Sequence, residues 1–303
     1  MILRPYRDAA DLAAIGKLAA VSISGDPDCF LLHPGDILHR LFNGMKFEDP
    51  AELVTLWEDE SGLVAWTAVY ARRRSFDAQV RQERRDELER PVLFHAESHL
   101  VAEMTRLRIE GEDIRAEADG CDAVRGPTLE ALGWSKGEHE YTVTRRSLDQ
   151  VPSATIPEGF VIRQVRGVEE AAEIAEVHSA SFGSEWTPGL YRRVMEAPGY
   201  DPRREFVAEA PGGRLAAFTV TWHDHDNRLG LFEPVGSHEE FRRLGLGRAV
   251  MVAGMESMKA AGMDAAIVTY ELSNPASMAL YTSLGFVPII ESVGYSKSLN
   301  RGS

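Results

Sequence analysis

The chain has 303 residues, of which 44% are hydrophobic and 26% charged, and its formal net charge is -14. These proportions are those of a globular protein, and they exclude a disordered or fibrous chain. No apolar run reaches the roughly 20 residues that a membrane helix needs, and the N-terminus lacks the pattern of a secretory signal.

Cysteine content and acidity narrow the class further. Only Cys29 and Cys121 are present, too few for a disulfide framework or a cysteine-rich zinc site, which fits a reducing cytoplasm. An isoelectric point of about 5.2 argues against a general nucleic-acid surface, because such surfaces are basic. We therefore expect a cytoplasmic protein that binds neither nucleic acid nor a membrane.

The first half of the chain predicts strands that alternate with helices. Residues 2–7 (ILRPYR) are typical of a strand and precede an alanine-rich helix pattern. Residues 63–67 (LVAWT) follow a glycine-containing turn at 60–62, which predicts a β-hairpin. The charges at 72–74 and 81–90 indicate a solvated strand end and a solvated helix.

The second half repeats these signatures after a linker at 148–159 (LDQVPSATIPEG), which has two prolines and no helical period. Residues 161–166 (VIRQVR) again precede an alanine-rich helix pattern. Residues 215–219 (LAAFT) match 63–67 at an offset of 152, and the LGF at 284–286 matches an LGW at the same offset. Ordered matches at nearly one offset indicate an internal duplication.

Each half therefore predicts a mixed α/β domain of ordinary size. The predicted order is strand, helix or helices, hairpin, strand, helix, strand, helix and a final strand pair. We expect two tandem domains, at residues 1–150 and 156–303.

The segment WHDHDN, at residues 222–227, combines two histidines with two aspartates. The pair His223 and His225 can bind zinc, but no third ligand stands at a suitable spacing. Asp226 and Asn227 are typical of a turn after an apolar strand. We interpret the segment as a hairpin tip and expect no metal.

A basic, glycine-rich turn follows at 242–247 (RRLGLG), before a helix pattern that Gly262 ends. A helix N-terminus favours an anion, because its N–H groups are unpaired and the helix dipole is positive there. Gly245 and Gly247 permit a phosphate to approach the backbone closely. The added positive charge comes from Arg242, Arg243 and Arg248. On spacing alone, an ordinary turn explains the glycines equally well.

A second constellation begins at Asn274, after the strand pattern at 265–270. Asn274 and Pro275 are typical of a helix cap and a first helical residue, and Gly285 ends the helix. Asn274 and Tyr281 are two helical turns apart, so they lie on one side of the helix. In isolation, a plain cap and a half-buried aromatic side chain explain them as well.

Together the two motifs resemble the GCN5-related N-acetyltransferases, the GNAT family. The resemblance rests on Arg242-x-x-Gly245-x-Gly247 followed by Asn274-x-x-Ser277-x-x-Leu280-Tyr281-x-x-x-Gly285-Phe286. Ser277 stands where that family more usually has alanine. The match covers about residues 160–298 and implies tandem GNAT-like domains, with acetyl-CoA bound between two splayed parallel strands.

The resemblance also implies roles for individual residues. Tyr281 would protonate the departing thiolate. The strand before the turn would pair with the pantetheine arm and present an N–H group to the acetyl oxygen. The cofactor-binding residues implied are Val235, Gly236, Ser237, Arg242, Arg243, Leu244, Gly245, Leu246, Gly247, Arg248, Asn274 and Ser277.

The chemistry of acetyl transfer is consistent with these residue types. A backbone N–H can stabilise the charge that builds on the carbonyl oxygen, and a phenol can supply the proton that the thiolate needs. We predict Glu233 as the base for the amine, with Glu271 and Glu185 as alternatives. Pro234 cannot donate an N–H group, and it predicts an irregular strand at that point.

The first half lacks the corresponding residues. At the offset of 152, the residues Gly245, Gly247, Asn274 and Tyr281 correspond to Leu93, His95, Asp122 and Leu129. No glycine occurs between Gly62 and Gly111. We therefore predict that the first domain is degenerate and that the second is active, a layout similar to that of two-domain members of the family.

These observations predict an acetyl-CoA-dependent N-acetyltransferase that acts on a primary amine of a small molecule, as a monomer or homodimer. Transfer of another acyl group, a hydroxyl acceptor and a non-catalytic acyl-CoA sensor stay open as alternatives. Retention of Tyr281 favours an enzyme, because a sensor needs no acid for a thiolate. No motif identifies the acceptor.

Overall fold

A computed structural model describes residues 1–44 and 48–299. Its contacts divide the chain into two compact units. Unit 1 holds residues 1–143, 271–273 and 288–299, and unit 2 holds residues 144–270 and 274–287. None of the described helices is both long enough and apolar enough to cross a membrane.

Unit 1 is a mixed sheet packed against helices. Its strands are β1 (Ile2–Pro5), β2 (Val54–Asp59), β3 (Gly62–Tyr70), β4 (Ser75–Val80), β5 (Asp113–Asp119), the first part of β6 (Ser135–Ser147) and nearly all of β12 (Val287–Ser298). Its helices are α1 (Ala9–Gly25), α2 (Pro34–Leu38), α3 (Pro50–Leu53), α4 (Arg85–Arg106) and α5 (Arg125–Ala131). The strand order is β1-β2-β3-β4-β5-β12-β6. Strands β4 and β5 are parallel.

Unit 2 repeats this arrangement. Its strands are β7 (Val161–Gln164), β8 (Glu205–Glu209), β9 (Leu215–Asp224), β10 (Leu229–Ser237) and all but the last residue of β11 (Ala265–Glu271), with residues 144–147 of β6. Its helices are α6 (Ala171–Phe182), α7 (Pro188–Met195), α8 (Leu246–Ala260) and α9 (Pro275–Ser283). The strand order is β6-β11-β10-β9-β8-β7, with β10 and β11 parallel. The predicted mixed α/β class is confirmed.

Local sequence sets the ends of several helices. Asp8 begins α1, since its side chain accepts a hydrogen bond from the Ala10 N–H at 2.8 Å, which satisfies one of the free donors of the first turn. Gly183 follows α6 with a φ of 63°, and Gly262 follows α8 with a φ of 87°. Glycine adopts this left-handed conformation without steric cost, so the predicted end of α8 is confirmed.

An ion-pair triad recurs in the two units. In unit 1, Arg4 donates to Asp11 at 2.6 Å and to Glu58 at 2.7 Å. The equivalent triad of unit 2 consists of Arg163, Glu170 and Glu209, with distances of 2.5 Å and 2.7 Å. In each triad the arginine lies on the first strand of its unit, and one carboxylate lies at the hairpin. The same contacts in the same order support the internal duplication.

The two units differ from the two contiguous ranges expected from the sequence, 1–150 and 156–303. The C-terminal strand β12 pairs with β5, with Ser292 opposite Asp119 and Ser298 opposite Asp113. Residues 288–299 therefore lie in unit 1, whereas residues 144–150 lie in unit 2. Strand pairing between such distant segments has no local sequence signal.

The segment at 148–159 has no helix or strand, as predicted for a linker, but its start is anchored. The Leu148 N–H donates to the Asp264 carbonyl at 2.8 Å, and the Leu148 side chain is buried in a core cluster of unit 2. Val151 and Ala154 pack against the same cluster. The segment is therefore part of unit 2 along much of its length.

Cys29 and Cys121 form a disulfide within unit 1, with 5.9 Å between their Cα atoms. One bridge is not a framework, but the count of cysteines gave no indication of it, because the partners are 92 residues apart. Disulfides are uncommon in cytosolic proteins. The cysteines therefore no longer support the expected cytoplasmic location.

Candidate active site

Strands β10 and β11 form a wedge in unit 2. They pair in parallel only from Leu229–Ala265 to Leu231–Ile267. Strand β10 then continues to Ser237, and its far edge keeps pairing with β9. The edge of β10 that faces away from β9 is therefore without its β11 partner over the predicted residues Val235, Gly236 and Ser237.

A β-bulge interrupts β10 at Glu233 and Pro234. Phe232 lies opposite Thr221 and Val235 lies opposite Thr219, so β10 carries one extra residue. This irregularity was predicted from Pro234, which has no N–H to donate to the sheet, and it is confirmed.

Two side chains of β9 hold the bulge in place. The Trp222 indole N–H donates to the Glu233 carbonyl at 2.7 Å, and the Thr219 hydroxyl donates to the Pro234 carbonyl at 3.0 Å. Both side chains are buried. The sequence did not predict a role for these two residues, because contacts between strands depend on the strand register, which the local sequence does not determine.

The basic turn adopts left-handed backbone at two positions. Gly245 has a φ of 80° and Arg243 has a φ of 65°. Helix α8 begins at Leu246, and Gly245, its N-cap residue, provides no side chain to cap it. The N–H groups of the first turn are consequently left for another acceptor.

Glycine is required at the two positions of the turn for different physical reasons. A Cβ on Gly245 would have only the Thr155 carbonyl nearby, at 4.0 Å, so the φ angle is what requires glycine there. A Cβ on Gly247 would lie 3.2 Å from the Ser237 hydroxyl and 3.5 Å from Leu280. Gly247 therefore lets α8 start close to the end of β10 and to α9.

The arginines of the turn have no carboxylate partners. Arg242 donates to the Ser181 carbonyl at 3.1 Å, and Arg248 donates to the Ser153 carbonyl at 3.2 Å. Within residues 1–44 and 48–299, Arg242, Arg243 and Arg248 take part in no ion pair. Their positive charge is uncompensated in a chain of net charge -14, which fits an anionic ligand.

The leucines of the turn point in opposite directions. Leu244 is 45% exposed, whereas Leu246 is buried in the core with Val250. The side chain of Leu246 therefore packs the protein interior, and only its backbone N–H remains as a candidate ligand contact.

Asn274 caps helix α9, which was one of the two roles that the sequence left open for it. Its side-chain oxygen accepts a hydrogen bond from the Ser277 N–H at 3.2 Å, and the Ser277 hydroxyl donates to the Asn274 carbonyl at 3.0 Å. These bonds fix the start of the helix. A contact of either residue with a cofactor stays a prediction.

Tyr281 is 6% exposed and packs against the core of unit 2. Burial raises the pKa of its hydroxyl, and the nearby Glu233 carboxylate raises it further. The hydroxyl makes no hydrogen bond within the described part of the chain.

The three candidate bases differ in position. Glu233 lies in the bulge and acts electrostatically on Tyr281. Glu185 is exposed in the loop between α6 and α7. Glu271 is exposed, belongs to unit 1 and accepts a hydrogen bond from the Ser273 hydroxyl at 3.1 Å. Of these three carboxylates, only Glu233 affects the pKa of Tyr281, the predicted acid.

Unit 1 neutralises the basic residues at the equivalent helix start. Arg84 pairs with Asp59 at 2.5 Å, and Arg85 pairs with Glu89 at 2.9 Å and with Asp122 at 2.7 Å. Since these pairs hold the cations in place and no glycine opens the backbone, this turn lacks the features that predict an anion site in unit 2.

The offset of 152 does not hold at this turn. Leu93 and His95, aligned with Gly245 and Gly247, lie inside α4 rather than at its start. The offset fails because α4 has 22 residues and α8 has 15. It does hold at Asp122, which precedes α5 as Asn274 precedes α9 and whose side chain accepts from the Val124 N–H at 2.9 Å and the Arg125 N–H at 3.0 Å.

The segment at 222–227 lies at a hairpin tip, as predicted: residues 222–224 end β9, and the turn follows before β10 begins at Leu229. The Asp224 carboxylate accepts hydrogen bonds from the Asp226 N–H at 3.0 Å and the Asn227 N–H at 3.3 Å. The His223 and His225 rings lie 5.9 Å apart. In the described ranges, no three histidine, cysteine, aspartate or glutamate side chains are placed to hold a metal ion.

Comparison with known proteins gives consistent results. Residues 171–286 match the model of the acetyltransferase (GNAT) family. The chain is 30% identical over 203 residues to a mycothiol acetyltransferase of Mycolicibacterium vanbaalenii, which is 63% of this chain and 67% of that protein. It is 27% identical over 186 residues to a mycothiol acetyltransferase of Thermobispora bispora, of whose length the match covers 63%.

Two solved structures have a similar fold over the whole chain. A GCN5-related N-acetyltransferase from Sphaerobacter thermophilus has a TM-score of 0.64 at 20% identity, covering 100% of this chain and 96% of that one. A tandem GNAT protein from the clavulanic acid biosynthesis pathway has a TM-score of 0.64 at 15% identity, covering 100% and 99%. At these identities the likeness shows the fold alone.

Proposed function

Since the chain belongs to the GNAT acetyltransferase family, we propose that unit 2 transfers an acetyl group from acetyl-CoA to a primary amine of a small molecule. The observation that carries this proposal is the uncompensated basic turn at the start of α8. It lies in the same unit as the β10–β11 wedge and as Tyr281, on which the Glu233 carboxylate acts.

The residues of the turn fit a phosphate group. The first N–H groups of α8 have no side-chain cap, and the backbone of Gly245 has open space where a Cβ would lie. Arg243 has no side-chain partner in the described residues, and a guanidinium can bind phosphate through two donors. The turn would therefore hold the pyrophosphate of CoA, and the free edge of β10 would hold the pantetheine arm.

Acetyl-CoA supplies the acetyl group as a thioester. The amine nitrogen forms a bond to the carbonyl carbon, and the C–S bond breaks. Glu233 accepts the proton that the amine loses, and the Tyr281 hydroxyl donates a proton to the sulfur. A backbone N–H of residues 235–237 stabilises the charge on the acetyl oxygen.

The acceptor is best sought among small amines. The relatives named as mycothiol acetyltransferases make mycothiol-related amines the first class to screen. Amino acids, aminoglycosides and peptides form the comparison set.

The test is a screen of these amines for release of free CoA thiol from acetyl-CoA. We expect turnover with at least one small amine, and mass spectrometry should show a product that is one acetyl group heavier. Binding of acetyl-CoA without thiol release for any amine would contradict the proposal and favour the sensor alternative. Release with alcohols but not amines would point to a hydroxyl acceptor.

A further inference from the structure

Unit 1 has a strand wedge of its own, between β4 and β5. The two strands pair at a single position, Ser75 opposite Arg115, although β4 continues to Val80 and β5 to Asp119. Alternate residues of a strand share a face. Four polar side chains beyond the pair therefore lie on one face, and we call them the unit 1 wedge: Asp77, Gln79, Glu117 and Asp119.

One carboxylate of the wedge is already neutralised. Arg40 donates to Asp77 at 2.9 Å, and the Tyr70 hydroxyl donates to the other oxygen of Asp77 at 2.7 Å. About a third of the Arg40 side chain (33%) is exposed, against 12% for Asp77. The Arg40–Asp77 pair thus lies at a depth that a small molecule from solvent can reach.

Glu117 has no comparable partner. Its carboxylate makes no hydrogen bond to any residue that the structure describes, and burial raises its pKa while Arg40 lowers it. Glu117 lies opposite Gly294 of β12, and a Cβ on Gly294 would overlap the Glu140 carboxylate. Glycine at that position therefore lets a second carboxylate lie beside Glu117.

Gln79 presents an unused donor on the same face as Asp77. The side chain is 4% exposed, and its oxygen accepts from the Trp66 indole N–H at 3.2 Å. That bond fixes the orientation of the amide, so the NH₂ group points away from Trp66. The NH₂ group has no partner in the described residues, and burying such a donor unpaired costs about 1–3 kcal/mol.

The wedge thus combines an excess of carboxylate with one buried, unsatisfied N–H donor. Two ligand classes do not fit it. A metal ion is disfavoured because no three suitable side chains converge in the described residues. A CoA phosphate is disfavoured because the arginines of the neighbouring turn are held by carboxylates.

We propose that the unit 1 wedge binds a small organic molecule that carries a protonated amine next to an oxygen acceptor. The ammonium group pairs with Glu117 and Glu140, and the oxygen accepts from the Gln79 NH₂ group. The degenerate unit has in this view exchanged an acyl-CoA site for an amine site. The proposal does not depend on catalysis in unit 2.

The test uses the full chain and two probes of equal size, ethanolamine and ethylene glycol, which differ only in the ammonium group. Backbone amide shifts are followed by NMR during each titration. Ethanolamine should give saturable shifts in β4 and β5 with a dissociation constant of about 1 mM, as expected for so small a ligand. Ethylene glycol should give none at the same concentrations.

Two variants locate the site. Glu117→Gln should weaken ethanolamine binding at least about tenfold, since it removes the charge partner, whereas Glu60→Gln, an exposed carboxylate in the β2–β3 turn, should leave binding unchanged. Gln79→Met removes the buried donor and should also weaken binding, which provides a second test if Glu117→Gln does not fold. Absence of saturable shifts in the wild type, or wild-type binding by either wedge variant, overturns the proposal.

Discussion

Tyr281 lies where its neutral form is favoured. Burial and the Glu233 carboxylate both raise the pKa of the hydroxyl, so the phenol keeps its proton at neutral pH. A group that keeps its proton can act as an acid toward a thiolate. This environment fits the proposed role of Tyr281.

Removal of this hydroxyl should affect turnover and not cofactor binding. In Tyr281→Phe we expect the rate of CoA thiol release to fall about 10²-fold, the usual contribution of a positioned acid. Acetyl-CoA affinity measured by calorimetry should stay unchanged. The same substitution in unit 1, Tyr6→Phe, serves as the control and should retain activity. Full turnover in Tyr281→Phe would show that the proton comes from another group.

Glu205 is a fully buried carboxyl group in unit 2. It accepts hydrogen bonds from Tyr191 at 2.6 Å and from Tyr200 at 2.5 Å, which favour its ionised form, but burial outweighs them and raises its pKa to about 7. In the unfolded chain a glutamate has a pKa of about 4.3. At a pH between these two pKa values, the folded chain binds more protons than the unfolded chain.

The stability of the protein should therefore fall as the pH rises from about 5 to 8 through the titration of Glu205. The loss amounts to at most about 3 kcal/mol, because one pKa unit corresponds to about 1.4 kcal/mol. The glutamine of Glu205→Gln cannot ionise, so the unfolding free energy of the wild type should fall relative to that of the variant over this pH range. Urea unfolding of both proteins at pH 5 and at pH 8 measures the difference between their unfolding free energies. A difference that does not vary with pH would contradict the prediction.

The bulge in β10 is the element that sets the geometry of the proposed site. Its peptide groups are held by Trp222 and Thr219 of the neighbouring strand. Loss of one such hydrogen bond leaves a carbonyl unpaired and costs about 1 kcal/mol. A shift of the bulge would also displace Glu233 and the residues that follow it.

Trp222→Phe should consequently lower kcat/KM by about tenfold or more, because small displacements at a reacting centre are costly. This loss should be larger than the loss of folded protein alone would cause. A matched change is available in unit 1, where the Trp134 indole N–H donates to Glu97 at 3.0 Å. Trp134→Phe should lose similar stability and keep its activity. Equal kcat/KM values for the two variants would show that the bulge is not positioned by Trp222.

Elements with local signals were predictable from the sequence. The cap at Asn274, the stops at Gly262 and Gly285 and the irregularity at Pro234 all depend on backbone preferences that single residues carry. The bonds from Trp222 and Thr219 to the bulge were not predictable. They require the register between β9 and β10, which is set by packing of the whole sheet.

At the scale of the whole molecule, duplication was visible but its offset was not constant. The triads place Arg163 159 residues after Arg4, and Glu209 151 residues after Glu58. The difference arises between the first helix and the hairpin of each unit, where α1 has 17 residues and α6 has 12, and helix ends and loops tolerate insertion more readily than strands do. The pairing of β12 with β5 and the disulfide both join residues that are far apart in the sequence, so neither had a local signature.

The disulfide should stabilise unit 1 by about 2–4 kcal/mol, since it closes a loop between residues 92 apart in the sequence. The double variant Cys29→Ser, Cys121→Ser should unfold at a lower temperature than the wild type in the absence of reductant. Added reductant should lower the melting temperature of the wild type toward that of the variant and leave the variant unchanged. A wild-type melting temperature that does not respond to reductant would argue against a stabilising bridge.

The most direct test of the account is a calorimetric titration of acetyl-CoA into the full chain. We predict one site per chain, abolished by Gly245→Asp, which places an anionic side chain and a strained φ at the turn of unit 2. Arg84→Gln, at the equivalent turn of unit 1, should leave this site intact. Retained binding in Gly245→Asp, or loss of binding in Arg84→Gln, would contradict the assignment of the acyl-CoA site to unit 2.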